Sequence, residues 1–150
     1  TMRIAQLAPL WEPVPPPKYG GTELVVSLLA DELARRGHQV VVYASGDSQT
    51  LGELRSVYPR SLRMAEVDGV IRSSAEYEWV HIANALKDHA QFDIIHNHSG
   101  DLPMAMCVAV PSGTGFGVFC ARVMAGGVGV PVGTALTSKS VTSRVYMERP

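Results

Sequence analysis

The sequence predicts an α/β fold: a parallel sheet with helices on both faces, followed by a C-terminal third that is irregular or atypical. Three observations carry that prediction. Short β-branched runs alternate with stretches of helical spacing up to about Ala105. The helical stretches carry their own start and stop signals. Glycine, proline and histidine gather at the strand ends, where connecting loops of such sheets bear their function.

Residues 3–9, RIAQLAP, form a short apolar run closed by proline and read as a buried strand. LWEPVPPPKYGG, residues 10–21, is a loop stiffened by Pro13, Pro15, Pro16 and Pro17, since each ring fixes φ. TELVVSLLADELARRG, residues 22–37, reads as a helix with Leu24, Val25, Leu28, Leu29 and Leu33 on its apolar face. Asp31 with Arg35, and Glu32 with Arg36, place acid before base at i,i+4 on the solvated side, and Gly37 follows as the stop. QVVVYAS, residues 39–45, is a second strand. Residues 51–72 give the weakest pattern, with SVYP as a short strand at most. Residues 73–90 open with Ser73 and Glu76 at capping-box spacing and predict a helix burying Trp79, Ile82, Ala83, Leu86 and Ala90. FDIIHNH, residues 92–98, is a further strand. Strands alternating with helices in this order are the grammar of a parallel sheet.

Composition narrows function by exclusion. The formal net charge is −1, so no basic excess argues for nucleic acid. No run approaches the length of a membrane span, and residues 1–10 lack the apolar core of a signal peptide. Cys107 and Cys120 form neither a disulfide framework nor a metal knuckle, which suits a reducing cytoplasmic location. The charge is uneven: residues 1–101 hold thirteen of the fourteen acids against nine bases, a net of −4. Seven of the fourteen glycines fall within 113–133, where no clear period remains. Residues 106–150 are therefore expected to be a divergent tail, of truncated or frame-shifted origin.

Two stretches carry chemistry. Gly20 and Gly21 precede Thr22 at a helix start, with Lys18 just upstream. The first-turn amides and the positive end of the helix dipole could face an anion there. The same residues also make a tight turn with Thr22 as N-cap and Glu23 complementing the dipole. The spacing is neither GxGxxG nor a P-loop. HNHSGD, residues 96–101, places His96 and His98 on one strand face and Asn97 on the other. A metal or a hydrogen-bonding role is open to the pair, with Asp101 as the one further ligand nearby and hydrogen bonding preferred. His98, nearer the strand end, is the better placed to touch a polar ligand. His81 and His89 read as exposed helix surface, and Asp31 and Glu32 as a solvated face.

The ordered set of first strand, proline loop, GGTE at a helix start, RRGH and VVYASGDS resembles the opening of family 4 glycosyltransferases, and FDIIHNHSGDLPMA resembles a later strand and turn of the same domain. The resemblance covers about residues 2–105. It implies a Rossmann-like domain, the N-terminal, acceptor-side half of a GT-B fold, in a retaining enzyme that moves a sugar from a nucleotide-sugar such as UDP-glucose to an acceptor. It implies no cofactor and no metal, with Gly20, Gly21, Thr22, Lys18, His98 and Asp101 lining the donor diphosphate and substrate. A donor-binding domain would be the missing partner, in cis or in trans, and this fragment alone would be inactive. The family's later TLHG-like strand end has no counterpart, because no histidine follows His98. The other reading of these residues is a non-catalytic Rossmann-type module that binds a nucleotide or phosphate ligand.

Overall fold

A computed structural model describes residues 1–100, together with the strands Gly117–Cys120 and Leu136–Thr137. Strand β1 (Arg3–Leu7) leads through the proline loop into helix α1 (Gly21–Arg35), then β2 (Gln39–Tyr43) and β3 (Glu53–Arg55). Helices α2 (Leu62–Val67) and α3 (Ala75–Lys87) and a 3-10 turn at His89–Gln91 return the chain to β4 (Ile94–Asn97). Strands β5 (Gly117–Cys120) and β6 (Leu136–Thr137) complete a six-stranded sheet of order β3-β2-β1-β4-β5-β6. Its first five strands are parallel and β6 is antiparallel to β5. Thus two strands come from the segment whose sequence showed no period. The first, GVFC, is four residues without apolar–polar alternation, and the second is two residues, too short for any period to show.

Strand parity sorts the core into two layers. Ala5, Leu7, Val41, Tyr43 and Ile95 point to one face, against Ile82, Ala85, Leu86 and Phe92. Val40, Val42 and Ala44 point to the other, against Val26 and Ala30 of α1. Helices α3 and α1 therefore cover opposite faces. A third cluster, Leu10, Leu62, Ala65 and Ile71, anchors α2 to the proline loop.

Both long helices differ from expectation in the face they bury. On α1 the buried residues are Glu23, Val26, Ser27 and Ala30, while Leu24, Val25 and Leu28 are exposed. On α3 they are His81, Ile82, Ala85 and Leu86, while Trp79 is half exposed and Ala83 and Ala90 face solvent. On α1 a second set at helical spacing, with serine and alanine among its members, displaces Leu24, Val25 and Leu28, while the expected Leu33 still packs against the core. On α3 the expected Ile82 and Leu86 are buried, but His81 and Ala85 take the place of Trp79, Ala83 and Ala90 beside them. Small side chains let a helix axis approach the sheet closely, which the bulkier leucine or tryptophan side would prevent. Asp31 is also more than a solvated group: it pairs with Arg35 and accepts hydrogen bonds from the Leu51 amide at 2.9 Å and the Thr50 hydroxyl at 3.3 Å. The end of α1 follows the expected pattern, with His38 N bonded to Leu33 O and Gly37 N to Ala34 O.

Candidate functional site at the carboxyl ends of β1 and β4

The chain runs outward from β1 to β2 and β3, then crosses back to β4 on the other side of β1. The order of the sheet reverses between β1 and β4. In open parallel sheets the crevice beyond the strand ends at such a reversal is where ligands bind. The two stretches singled out in the sequence leave the sheet here, one after each strand. The main chain ties them together, since the His98 amide donates to Leu7 O at 2.9 Å.

The proline loop is rigid for more reasons than its prolines. Alternate amides are each met by a side-chain acceptor: Leu10 N by Glu78 Oε1 at 3.0 Å, and Val14 N by Ser48 Oγ at 2.9 Å. Between them the Glu23 carboxylate faces the amide of Glu12 as well as its own. The carbonyls of Leu10, Trp11 and Val14 accept from Leu62, Arg63 and Gln49. Glu12 itself is buried and paired with Arg63. Three acids thus converge on the loop. Burial pushes the Glu23 and Glu78 carboxyls above their ordinary range, against amide hydrogen bonds that pull the other way. From the sequence, Glu23 is expected only to complement the helix dipole, and neither Glu12 nor Glu78 is singled out. The available signal was that Glu23 and Glu78 sit at i of the buried i, i+3, i+4, i+7 sets, hidden by the assumption that glutamate faces water.

Of the expected residues, Gly20 and Gly21 do different work. Gly20 is the N-cap of α1 with φ 141°, a backbone conformation L side chains rarely adopt, and a Cβ there would lie 2.7 Å from Pro16 Cβ and 3.0 Å from Glu23 Oε2. Gly21 is exposed, and a Cβ on it would meet nothing within 4 Å. Thr22 is not the N-cap but the second residue of the helix, and no side chain among the described residues caps α1. Among the described residues, nothing accepts a hydrogen bond from the amides of Gly21 and Thr22. Lys18 is exposed beside them in sequence. Asp101 lies outside the described residues.

Beyond β4, Asn97 shapes the turn: its Oδ1 accepts from Ser99 N at 2.9 Å and its Nδ2 donates to Gly100 O at 2.7 Å. Gly100, at φ 73°, supplies the left-handed residue that closes it. His96 and His98 share a face, with ring centroids 4.1 Å apart. His98 is buried and its Nε2 lies 3.0 Å from Gln6 Oε1. Desolvation, then the neighbouring His96, pulls its pKa down to about 3. On the opposite face His81, expected on the surface, is fully buried; its Nε2 donates to Ala8 O at 2.8 Å and burial lowers its pKa to about 4. Two neutral imidazoles therefore brace the end of β1 from the two sides of the sheet. Among the described residues, no three His, Cys, Asp or Glu side chains are grouped to hold a metal ion.

The family model described as Glycosyltransferase Family 4 matches residues 19–120, which takes in the Gly20–Gly21 turn, the His96–Gly100 segment and β5. The chain belongs to glycosyltransferase family 4. Its sheet and helices are those of a GT-B glycosyltransferase fold. The crystal structure of AviGT4, a glycosyltransferase involved in avilamycin A biosynthesis, is similar with a TM-score of 0.50 and 22% identity over 81% of this chain. The chain spans 32% of the length of AviGT4. No curated protein matches it. Among the described residues, no helix of this family 4 chain is long and apolar enough to cross a membrane.

Proposed function

We propose that this chain is the acceptor-side domain of a retaining glycosyltransferase that transfers a sugar from a nucleotide-sugar donor. The observation that carries the reading is the pair of unpartnered amides at Gly21 and Thr22, held at the sheet's reversal point by a braced loop. An anion placed there gains two amide hydrogens, the positive end of α1 and the charge of Lys18. A pyrophosphate fits that demand, because its charge grows as the nucleotide departs and fixed donors stabilise the growth without reorganising. Gly21 leaves the approach open where any side chain would begin to fill it. Family 4 membership supports a sugar as the group transferred.

The described residues build one wall of a cleft. A donor-binding domain, in cis or in trans, supplies the second, and turnover requires both because positioning the two substrates is a large share of the rate. Alone, the chain binds a nucleoside diphosphate weakly, with Kd of roughly 1 mM, equivalent to about 4 kcal/mol. Calorimetric titration with UDP tests this. Gly21→Ala should weaken binding by about tenfold and Lys18→Ala by about threefold, as expected for losing an amide approach and an exposed charge. Binding of UDP unchanged in both variants would remove the site from α1.

A further inference from the structure

The turn after β4 holds polar atoms that the diphosphate reading does not use. His98 is 6% exposed and, among the described residues, its Nδ1 has no hydrogen-bond partner; nor has the Oγ of the adjacent Ser99. A buried polar atom without a partner is costly enough that native structures rarely keep one without a ligand or water to satisfy it. The tautomer follows from the neighbour: an amide oxygen only accepts, so the Nε2 facing Gln6 Oε1 carries the hydrogen and Nδ1 presents a bare lone pair. We propose that His98 Nδ1 accepts a hydrogen bond from a sugar hydroxyl, and that this turn reads the neutral sugar and not the diphosphate.

The proposal rests on the nucleotide-sugar reading and narrows one part of it, by assigning His98, expected to line the donor diphosphate and substrate together, to the carbohydrate. Phosphate oxygens would need a hydrogen on Nδ1, which means an imidazolium. Burial and the His96 ring 4.1 Å away both oppose that charge, and no carboxylate among the described residues is bonded to His98 to favour it. A hydroxyl has the hydrogen the lone pair lacks. Gln6 fixes the ring from β1, and the Asn97 turn fixes the backbone that bears it. The ligand class is therefore a polyol.

Nitrogen-15 spectra of histidine-labelled full chain test this with three probes: UDP, UDP-glucose and methyl α-glucoside. The free chain at pH 7 should show His98 as the Nε2–H tautomer, with an unprotonated Nδ1. UDP-glucose or the free glucoside should shift that Nδ1 resonance and UDP should not; which sugar acts names the source of the hydroxyl. His98→Phe should lose about tenfold in UDP-glucose affinity with UDP affinity within about twofold. A protonated Nδ1 in the free chain, a shift with UDP alone, or a resonance deaf to both sugars while backbone amides respond, overturns this inference and leaves the diphosphate site standing. No response of any resonance to any probe overturns both.

Discussion

At the residue scale, two adjacent glycines make opposite predictions. Gly20 is required by its backbone and by Pro16, so Gly20→Ala should destabilise the fold by at least about 2 kcal/mol in urea denaturation. Gly21→Ala places its methyl in open space at a helix start, where losing glycine entropy stabilises by about 0.5 kcal/mol. The ligand loss expected of Gly21→Ala therefore comes without a stability loss, which separates binding from folding. GGTE in the sequence announced a helix start with a bare backbone. It did not announce which glycine was structural, because that depends on Pro16 and Glu23 meeting over Gly20 only once the loop is folded. The same holds for His81. Nothing in its helical position separates it from His89 until Ala8 O, a residue 73 positions earlier, is known to be its partner.

At the scale of elements, the existence of β1, α1, β2, α3 and β4 was legible from period and caps. The α3 start lies close to where Ser73 and Glu76 predicted it, but the N-cap is Ser74. Ser73 stands one residue outside, its hydroxyl donating to Glu76 Oε2 at 2.8 Å and accepting from the Ala75 amide at 3.3 Å. The faces were legible only in part: Ile82, Leu86 and Leu33 pack as expected, while Leu24, Val25, Leu28 and Trp79 do not. On α1 the leucine set and the valine–alanine set have equal claims by spacing, and only contact with Val40 and Val42 decides between them. Val26→Ala should cost about 1–3 kcal/mol, the lost transfer energy plus a cavity against β2. Leu28→Glu, on the exposed side, should change stability by less than about 0.5 kcal/mol. The reverse ranking in thermal or urea melts would restore the leucine face to the core. Residues 53–67 hid a three-residue strand and a six-residue helix, too short for either period to show.

At the scale of the molecule, buried titrating groups set how stability depends on pH. His81 and His98 titrate near 6.5 when unfolded and at about 4 and about 3 when folded. Below 6.5 the unfolded chain binds the extra protons, so stability falls as pH drops toward the folded values. Between pH 7 and 5 each histidine removes up to about 2 kcal/mol. Glu23 and Glu78, raised by burial, act in the opposite sense: the folded form holds protons longer, so stability falls as pH rises above 4.5 through their folded values. Comparing variants separates the two. His81→Asn, less stable at pH 7 for its lost packing, should nonetheless lose less between pH 7 and 5 than the unsubstituted chain; equal losses would mean that His81 does not titrate as a buried neutral group.

The parallel sheet, the reversal between β1 and β4 and family 4 membership are the grounds on which we propose a functional edge at the carboxyl ends of those strands. The central claim concerns what the first turn of α1 does there. Amide spectra of the full chain titrated with UDP address it most directly. The account predicts that Gly21 and Thr22 show the largest shifts, with Lys18 and Tyr19 next and α2 unmoved. Saturating UDP that leaves Gly21 and Thr22 in place, or that shifts residues at the amino ends of the strands instead, contradicts it.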